Sequence, residues 1–353
     1  MSRKIIYRIA ITGDSSTQFF AKELRKKGLE DEIEFIIFEA NYDQIESLLL
    51  NPNSELFKFI PDYIIIFHSV QKLVQKFYRK SNNDQEKFFK KHISNLKKYL
   101  LAVENTNSKI IYFNFPELED NTYGNYGTKV VNSMKYQLKK INLELMNLAS
   151  KTGFFYLLDV STLANYFGLN KIINSVFYIN GDITFSPDFN IIIIRSLLKI
   201  FKSHSGVFNK CLIIDLDNTM WGGVIGDDGI ENIEIGPLGI GKAYTELQLW
   251  FKQLKDRGII LCVCSKNTDH IAMEPFKNHP EMVLRLDDIS VFVANWKNKA
   301  ENIKYIKNVL NIGFDSMVFI DDNPFERNLV RNFLPQVTVP ELPVDPADYL
   351  SYL

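Results

Sequence analysis

Two aspartates separated by one residue follow a short apolar run in the second half of the chain, in the segment Cys211-Leu-Ile-Ile-Asp215-Leu-Asp217-Asn-Thr219. One carboxylate can attack phosphorus to form an aspartyl-phosphate, while a second carboxyl protonates the leaving oxygen and later activates water. The spacing therefore predicts phosphoryl transfer with separate roles for Asp215 and Asp217. The pentapeptide Asp215–Thr219 alone is also typical of a helix-capping turn. The choice between a capping turn and a phosphoryl-transfer site therefore depends on other residues.

Three further apolar runs of this half end in groups that handle phosphate or metal. These groups are Ser265, Lys266 and Asn267 after the second run, Lys297 and Lys299 after the third, and Asp321 and Asp322 after the fourth. Hydroxyl and backbone N–H groups at a helix start hold phosphate oxygens, a lysine stabilises a transferring phosphoryl group, and Mg²⁺ prefers oxygen ligands. Ligands of an open parallel sheet bind at the carboxyl ends of its strands. We therefore predict one magnesium-dependent site there.

Strand-like and helix-like segments alternate along the whole chain, which predicts parallel sheets covered by helices. Apolar runs lie at 5–11, 32–38, 63–67, 109–115 and 154–158, and helical patterns near 17–27, 84–104, 128–150 and 188–203. The pattern restarts after a polar linker at 202–210, with helices expected over 240–257, 299–310 and from Pro324. We expect α/β architecture: two three-layer αβα domains with mainly parallel sheets, covering residues 1–205 and 206–353.

Composition excludes several classes of function. The 353 residues include 41 basic and 42 acidic side chains, for a net charge of −1, so bulk charge favours neither nucleic acid nor an anionic membrane as partner. The first apolar run is short and interrupted by Arg8, unlike a signal peptide or a spanning helix. We expect a cytoplasmic protein in which Cys211, Cys262 and Cys264 are reduced core thiols.

The order Asp-x-Asp-x-Thr, Ser, Lys, Asp-Asp resembles the haloacid dehalogenase-like (HAD) superfamily. The resemblance implies a C-terminal Rossmann-like fold with Asp215 as nucleophile and Asp217 as acid/base, which also lends its main-chain carbonyl to the metal. It implies phosphate ligation by Ser265 and by Lys299 rather than Lys297. Asp215 is expected to hold the metal together with Asp321 or Asp322, between which the sequence does not decide. Substrate contacts are also expected from Thr219, Trp221, Lys266 and Asn267.

The spacing between Asp217 and Ser265 leaves no room for a large cap domain. An uncapped site admits a bulky substrate, or a partner presenting a group on an arm. The glycine-rich segment at 218–229 predicts a flap over the site, in which glycines allow sharp turns and Trp221 closes one wall.

Longer motifs resemble the FkbH family: DLDNTMWGGVIGDDG, SKN at 265–267, NWKNKAENI at 295–303, FIDDNPFERNLVR at 319–331 and the terminal PQVTVPELPVDPADYL. The resemblance implies a glyceryl transferase/phosphatase that takes the three-carbon unit of 1,3-bisphosphoglycerate, removes phosphate and loads glyceryl as a thioester on the phosphopantetheine arm of an acyl carrier protein. Such products serve polyketide, tetronate or glycan-decoration biosynthesis, a secondary-metabolite role. Thioester loading makes Cys264, next to Ser265, a candidate acyl station, although strand cysteines are usually core residues.

Gly13-Asp14-Ser15 after the first strand resembles the first block of SGNH hydrolases, which have a flavodoxin-like sheet. A working hydrolase of that type needs an Asp-x-x-His pair late in the domain, but Asp182 is followed at the third position by Phe185. We therefore expect residues 1–205 to be a weak or inactive SGNH-like scaffold. For the whole chain, two other functions remain: a phosphatase of a phosphosugar or phosphoprotein, and a carrier-binding scaffold without turnover.

Overall fold

The computed structural model describes residues 5–119 and 122–353. The chain divides into two compact units, Met1–Ser205 and Gly206–Leu353. Each unit contains a parallel sheet with hydrophobic clusters on both faces, so the predicted α/β class with helices on both sides of the sheets is confirmed. Among the described residues, no helix is long and apolar enough to cross a membrane.

The first unit is built on a five-stranded sheet. Its strands are β1 (Ile5–Gly13), β2 (Ile33–Glu39), β3 (Tyr63–Phe67), β4 (Lys109–Phe113) and β5 (Phe155–Leu158). They pair in parallel in the order β2-β1-β3-β4-β5, which is the flavodoxin-like order. The strand order reverses between β1 and β3.

Helices cover both faces of this sheet. They are α1 (Gln18–Glu30), α2 (Ile45–Leu49), α3 (Glu55–Lys58), α4 (Val70–Tyr78), α5 (Asn82–Glu86), α6 (Phe88–Val103), α7 (Met134–Ala149), α8 (Val160–Phe167), α9 (Leu169–Ile172), α10 (Ser175–Gly181) and α11 (Pro187–His204), with a 3₁₀ turn at Gly124–Lys129. Successive strand residues point to opposite faces: Ile64 packs with α4, α6 and α7, whereas Ile65 packs with α1 and α11. Strand β3 is apolar throughout because both of its faces are covered.

The second unit has a four-stranded sheet. Its strands are β6 (Cys211–Ile214), β7 (Ile260–Ser265), β8 (Val291–Ala294) and β9 (Met317–Ile320). They are parallel in the order β8-β7-β6-β9, the first four positions of a Rossmann-like sheet. The helices are α12 (Ile225–Asp228), α13 (Gly241–Asp256), α14 (Asp269–Asn278), α15 (Lys299–Leu310), α16 (Pro324–Phe333) and α17 (Tyr349–Tyr352), with 3₁₀ turns at Leu286–Asp288, Phe314–Ser316 and Pro346–Asp348.

The helix predicted over 84–104 is wrong in one respect, because it is two helices, α5 and α6, that meet at Lys87. The backbone of Lys87 (φ −101°, ψ 6°) departs from helical geometry. Helix α5 buries no side chain, whereas Phe88 at the start of α6 is buried. Packing against the core therefore fixes the orientation of α6 but not that of α5. Helix α4 was not predicted, although its N-cap Ser69 precedes Val70, Leu73 and Phe77 at helical spacing on one buried face.

Candidate active site

Charged and hydroxyl side chains of the second unit meet at the carboxyl edge of its sheet. Asp215 follows β6, Ser265 is the last residue of β7, and Asp321 follows β9. Strand β6 lies between β7 and β9, so Asp215 is central. Lys299 is the first residue of α15. The strand ends thus bring together residues that are far apart in the sequence.

Three carboxylates form a cluster that could hold a cation. One oxygen from each of Asp215, Asp321 and Asp322 lies within 4.8 Å of the other two. Asp215 Oδ1 is buried and has no hydrogen-bond partner in the part of the chain that the structure describes. A buried carboxylate oxygen left unpaired is costly, and three carboxylates offer the oxygen ligands that Mg²⁺ prefers. The residues present therefore fit this metal, and both Asp321 and Asp322 remain candidates.

Lys299 places an ammonium group among these carboxylates. Its Nζ lies 2.7 Å from Asp215 Oδ2 and also donates to the carboxylate of Asp321. Burial alone would lower the pKa of Lys299, but the two carboxylates raise that pKa above its ordinary value. Lys297 is exposed, so only Lys299 of the two candidates lies among the acidic residues.

Asp217 is fixed by three donors. Its Oδ1 accepts hydrogen bonds from Trp221 Nε1 and from the Ile225 backbone N–H, both at 3.0 Å, and its Oδ2 accepts one from Asn267 Nδ2 at 2.8 Å. Burial raises the pKa of Asp217, these bonds oppose the shift, and the charge of Asp215 adds to it; the net pKa is raised. The two aspartates therefore occupy different surroundings, one paired with an ammonium and one held by neutral donors.

The second acidic pair is positioned by its neighbours. The Thr219 hydroxyl accepts a hydrogen bond from the Asp322 backbone N–H at 3.1 Å and donates to Asp322 Oδ1 at 3.4 Å. Arg327 donates to the main-chain carbonyls of both Asp321 and Asp322. Burial, followed by the Asp215 charge, raises the pKa of each carboxyl. Thr219 is fully buried, so its contact is with this loop. Sequence analysis did not single out Arg327, which lies inside the motif FIDDNPFER.

Ser265 and Asn267, at the end of β7 and just after it, contribute polar side chains to the site, whereas Lys266 forms an ion pair with α16. Ser265 is buried, and its Oγ accepts a 3.4 Å hydrogen bond from Asn267 Nδ2. Asn267 thereby links Ser265 to Asp217. Lys266 Nζ instead lies 2.6 Å from Glu326 Oε1, a residue of α16 that the sequence analysis did not identify. Its expected phosphate contact competes with this ion pair.

Trp221 is packed beside Asp217, and its expected role as a wall of the site stays a prediction. The side chain is fully buried, and its ring lies edge-to-face against Phe276 at a centroid distance of 6.0 Å. A β-bridge pairs Trp221 with Asp217, so the turn directs the indole N–H back to the carboxylate. The glycine-rich segment also contains α12. Between Asp217 and Ser265 the regular helices are α12 and α13, and neither amounts to a cap domain.

Cys264 lies in the core. It is fully buried, together with Cys211 and Cys262, in the cluster under α15 and α16, so the prediction of reduced core thiols is confirmed. Its Sγ lies 3.9 Å from the main-chain oxygen of Lys299. Burial raises the pKa of this thiol, which disfavours the reactive thiolate. The predicted acyl station gains no support from this placement.

Ser15 in the first unit is buried, and its Oγ has no hydrogen bond among the described residues. Phe185, at the position where the hydrolase pattern has histidine, packs against Phe67 and Phe189. Asp182 accepts instead from the hydroxyl of Tyr42 at 2.8 Å and pairs with Lys72 at 3.3 Å. In the part of the chain that the structure describes, no Ser-His-Asp arrangement is therefore assembled around Ser15.

Comparison with known proteins includes a match over nearly the whole chain. The sequence profile described as the FkbH N-terminal domain matches residues 8–202. The crystal structure of the N-terminal part of the protein BF1531 from Bacteroides fragilis, which contains a phosphatase domain and is complexed with Mg, is 48% identical. It superposes with a TM-score of 0.92 over 99% of this chain and 92% of its own.

More distant structures match single portions of the chain. BT4096, a gut microbial diltiazem-metabolizing enzyme, is 12% identical with a TM-score of 0.40, covering 60% of this chain and 50% of its own. A HAD family enzyme, bt-2542 from Bacteroides thetaiotaomicron, is 15% identical with a TM-score of 0.28, covering 39% and 95%. The search of curated proteins found no match.

Proposed function

Because the chain belongs to the FkbH family, we propose that its second unit is a magnesium-dependent phosphatase and glyceryl transferase. The unit would first hydrolyse the C3 phosphate ester of 1,3-bisphosphoglycerate. The thiol of the phosphopantetheine arm of an acyl carrier protein would then attack the C1 carbonyl carbon, so that a carbon–sulfur bond forms, the bond from C1 to the acyl-phosphate oxygen breaks, and phosphate leaves with the thiol proton. One observation carries the phosphatase part: Asp215 contacts the ammonium of Lys299, while Asp217 is held two residues away by three neutral donors. Carboxyls in such different surroundings can take different roles.

In the first step, a carboxylate oxygen of Asp215 attacks phosphorus. A bond forms between that oxygen and phosphorus, the bond from phosphorus to the leaving oxygen breaks, and Asp217 gives its proton to the leaving oxygen. Hydrogen bonds from Trp221 and Asn267 hold the Asp217 carboxyl in one orientation during this transfer. The orientation matters because a misplaced acid loses much of its catalytic effect.

In the second step, water hydrolyses the aspartyl-phosphate. Asp217 accepts a proton from the water, the water oxygen bonds to phosphorus, and the bond to Asp215 breaks, which regenerates both carboxyls and releases phosphate. Lys299 and the Ser265 hydroxyl would hold the phosphoryl oxygens in both steps. Asp215, Asp321 and Asp322 would hold the metal, and bound Mg²⁺ supplies charge neutralisation at the phosphoryl oxygens.

The short insertion after Asp217 supports a carrier protein as the acceptor. In residues 217–265, all of which the structure describes, the α-helices are α12 and α13, so no cap domain is inserted there. A phosphopantetheine arm can therefore approach the site. We assign the first unit a non-hydrolytic role, since Ser15 has no histidine beside it.

The test mixes the purified full chain, Mg²⁺, 1,3-bisphosphoglycerate and candidate carrier proteins, and follows both free phosphate and carrier mass. We expect phosphate release together with a glyceryl-sized gain in carrier mass, both absent in Asp215→Asn. Phosphate release without any carrier gain would contradict the transferase and favour a phosphatase of a phosphosugar or phosphoprotein. Carrier binding with neither product would contradict catalysis altogether.

A further inference from the structure

A cavity of about 380 Å³ opens in the first unit at the carboxyl ends of β1 and β3. Asp14, directly after β1, and His68, directly after β3, line it together with residues of α4 and α6. Strand order reverses between β1 and β3, and this is where ligands of open α/β sheets bind. The volume lies within the range of small-molecule sites. Ser15 does not line the cavity.

A chain of three hydrogen-bonding side chains lies along one wall. The hydroxyl of Tyr112 lies 2.9 Å from His68 Nδ1 and 2.9 Å from His92 Nε2. A hydroxyl has one proton, so Tyr112 donates to one imidazole and accepts from the other. Burial lowers the pKa of both histidines to about 3, which keeps the rings neutral near pH 7.

The two ring nitrogens that do not bond to Tyr112 are His68 Nε2 and His92 Nδ1. Whichever imidazole accepts the Tyr112 proton, one of these two nitrogens carries a proton and the other does not. The wall therefore always offers one donor and one acceptor, and neither nitrogen has a hydrogen-bond partner within residues 5–119 and 122–353. A hydroxyl group, which donates and accepts at once, matches this pair.

Charged groups surround the mouth of the cavity. Lys76 lies 3.4 Å from the buried carboxylate of Asp14, so its charge is already balanced. Lys80, two residues beyond the end of α4, and Lys91, in α6, also line the cavity and are exposed. Neither makes an ion pair with any described residue. Two such ammonium groups can bind a phosphate or a carboxylate through charge-assisted hydrogen bonds.

The cavity is also lined by two carboxylates and an amide. These groups belong to Asp43, Glu46 and Asn95, and their oxygens can accept hydrogen bonds from hydroxyl groups. A ligand with only an anionic group would leave these acceptors unused. A ligand that also bears hydroxyls can pair with both the lysines and the acceptors.

We propose that this cavity binds a small polyol that bears a phosphate or carboxylate group. Lys80 and Lys91 hold the anionic group, while Asp43, Glu46 and the His68–Tyr112–His92 chain hold the hydroxyls. The site belongs to the first unit and does not depend on the function proposed for the second.

Isothermal titration calorimetry of the full chain, in buffer with a chelator that removes Mg²⁺, tests this with four probes. They are sn-glycerol 3-phosphate, D-glycerate, glycerol and inorganic phosphate. We expect at least one of the first two to bind, and the last two to bind at least about tenfold more weakly, since each lacks half of the contacts. Comparison of the first two distinguishes phosphate from carboxylate. Binding of none of them, or of phosphate as tightly as the polyol phosphate, would overturn the proposal.

Variants locate the binding. Lys91→Glu and Tyr112→Phe should each weaken it by about tenfold or more, because each removes a charged or shared hydrogen bond. Lys90→Glu is the matched control, since Lys90 is the exposed neighbour on α6 and does not line the cavity; it should bind normally. Circular dichroism checks that each variant is folded. If Tyr112→Phe does not fold, Lys91→Glu, at an exposed position, still tests the proposal. Unchanged binding in Lys91→Glu would overturn the proposal.

Discussion

Trp221 Nε1 donates a 3.0 Å hydrogen bond to Asp217 Oδ1 within the turn that follows β6. The indole is fully buried, so this donor cannot exchange its partner for bulk water. Asn267 and the Ile225 backbone N–H complete the set of donors. Together they fix the position of a carboxyl whose proposed task is proton transfer.

Trp221→Phe should therefore lower kcat by about tenfold, the effect of one hydrogen bond to a charged group. The phenyl ring keeps most of the buried apolar contact but offers no N–H. KM should change little, because the indole is fully buried and donates to the acid Asp217. Steady-state phosphate release measures both constants. Trp250→Phe, a partly buried tryptophan packed on Phe251, is the control, and an equal loss in that variant would argue against the positioning role.

Lys299→Met should lower phosphate release by about a hundredfold or more, the typical effect of removing one electrostatic stabiliser. Loss of the ammonium also leaves Asp215 and Asp321 buried without their partner, which can cost about 3–5 kcal/mol of stability. Circular dichroism and a urea titration separate the two effects. Lys299→Arg keeps the positive charge and should preserve folding. Activity should still fall, because the planar arginine guanidinium cannot take the position of the compact lysine ammonium. Lys297→Met, at an exposed position, should behave as the unmodified protein; the reverse pattern would move the role to Lys297.

Cys264→Ala should leave phosphate release essentially unchanged. The thiol is buried and its pKa is raised, so removing it costs about 1 kcal/mol of packing and no chemistry. Intact-protein mass spectrometry after incubation with 1,3-bisphosphoglycerate gives the second readout. We expect no adduct that depends on Cys264. A glyceryl adduct present in the unmodified protein and lost in Cys264→Ala would instead establish the acyl station predicted from the sequence.

Acid should destabilise the first unit through His68 and His92. Both are neutral in the folded chain, with pKa values lowered to about 3 by burial, whereas in the unfolded chain they bind protons below about pH 6.5. The unfolded state thus binds more protons between these values, so stability falls as pH falls, by up to about 1.4 kcal/mol per pH unit for each histidine. Urea midpoints at pH 7 and pH 5 measure the effect. His92→Gln should reduce the pH dependence, while His270→Gln, at an exposed position, should not; equal slopes for all three proteins would contradict the account.

Sequence patterns predicted the strand ends well because chemistry and topology agree there. Apolar runs ending in Asp215, Ser265 and Asp321 mark buried parallel strands, and such strands place their carboxyl ends at one edge. The choice of Lys299 over Lys297 followed from the resemblance to the HAD superfamily. The inferences for the three strand ends use signals within a few residues of the side chain concerned.

Contacts that join distant segments were not predictable in the same way. The hydrogen bond from Trp221 depends on the turn conformation between Asp217 and Ile225, and the sequence indicated only a glycine-rich flap with sharp turns there. The pairing of Lys266 with Glu326 joins β7 to α16. The His68–Tyr112–His92 chain joins β3, β4 and α6, and no periodicity relates these residues.

The account depends most directly on Asp215 as the group that attacks phosphorus. Phosphate release by Asp215→Asn should be measured with Mg²⁺ under single-turnover conditions, beside Asp227→Asn at an exposed position of α12 as control. We predict that Asp215→Asn lowers the rate by at least about a thousandfold, because a neutral amide cannot replace the carboxylate nucleophile, while the control is unaffected. Release from a folded Asp215→Asn protein at a rate close to that of the unmodified protein would contradict the account.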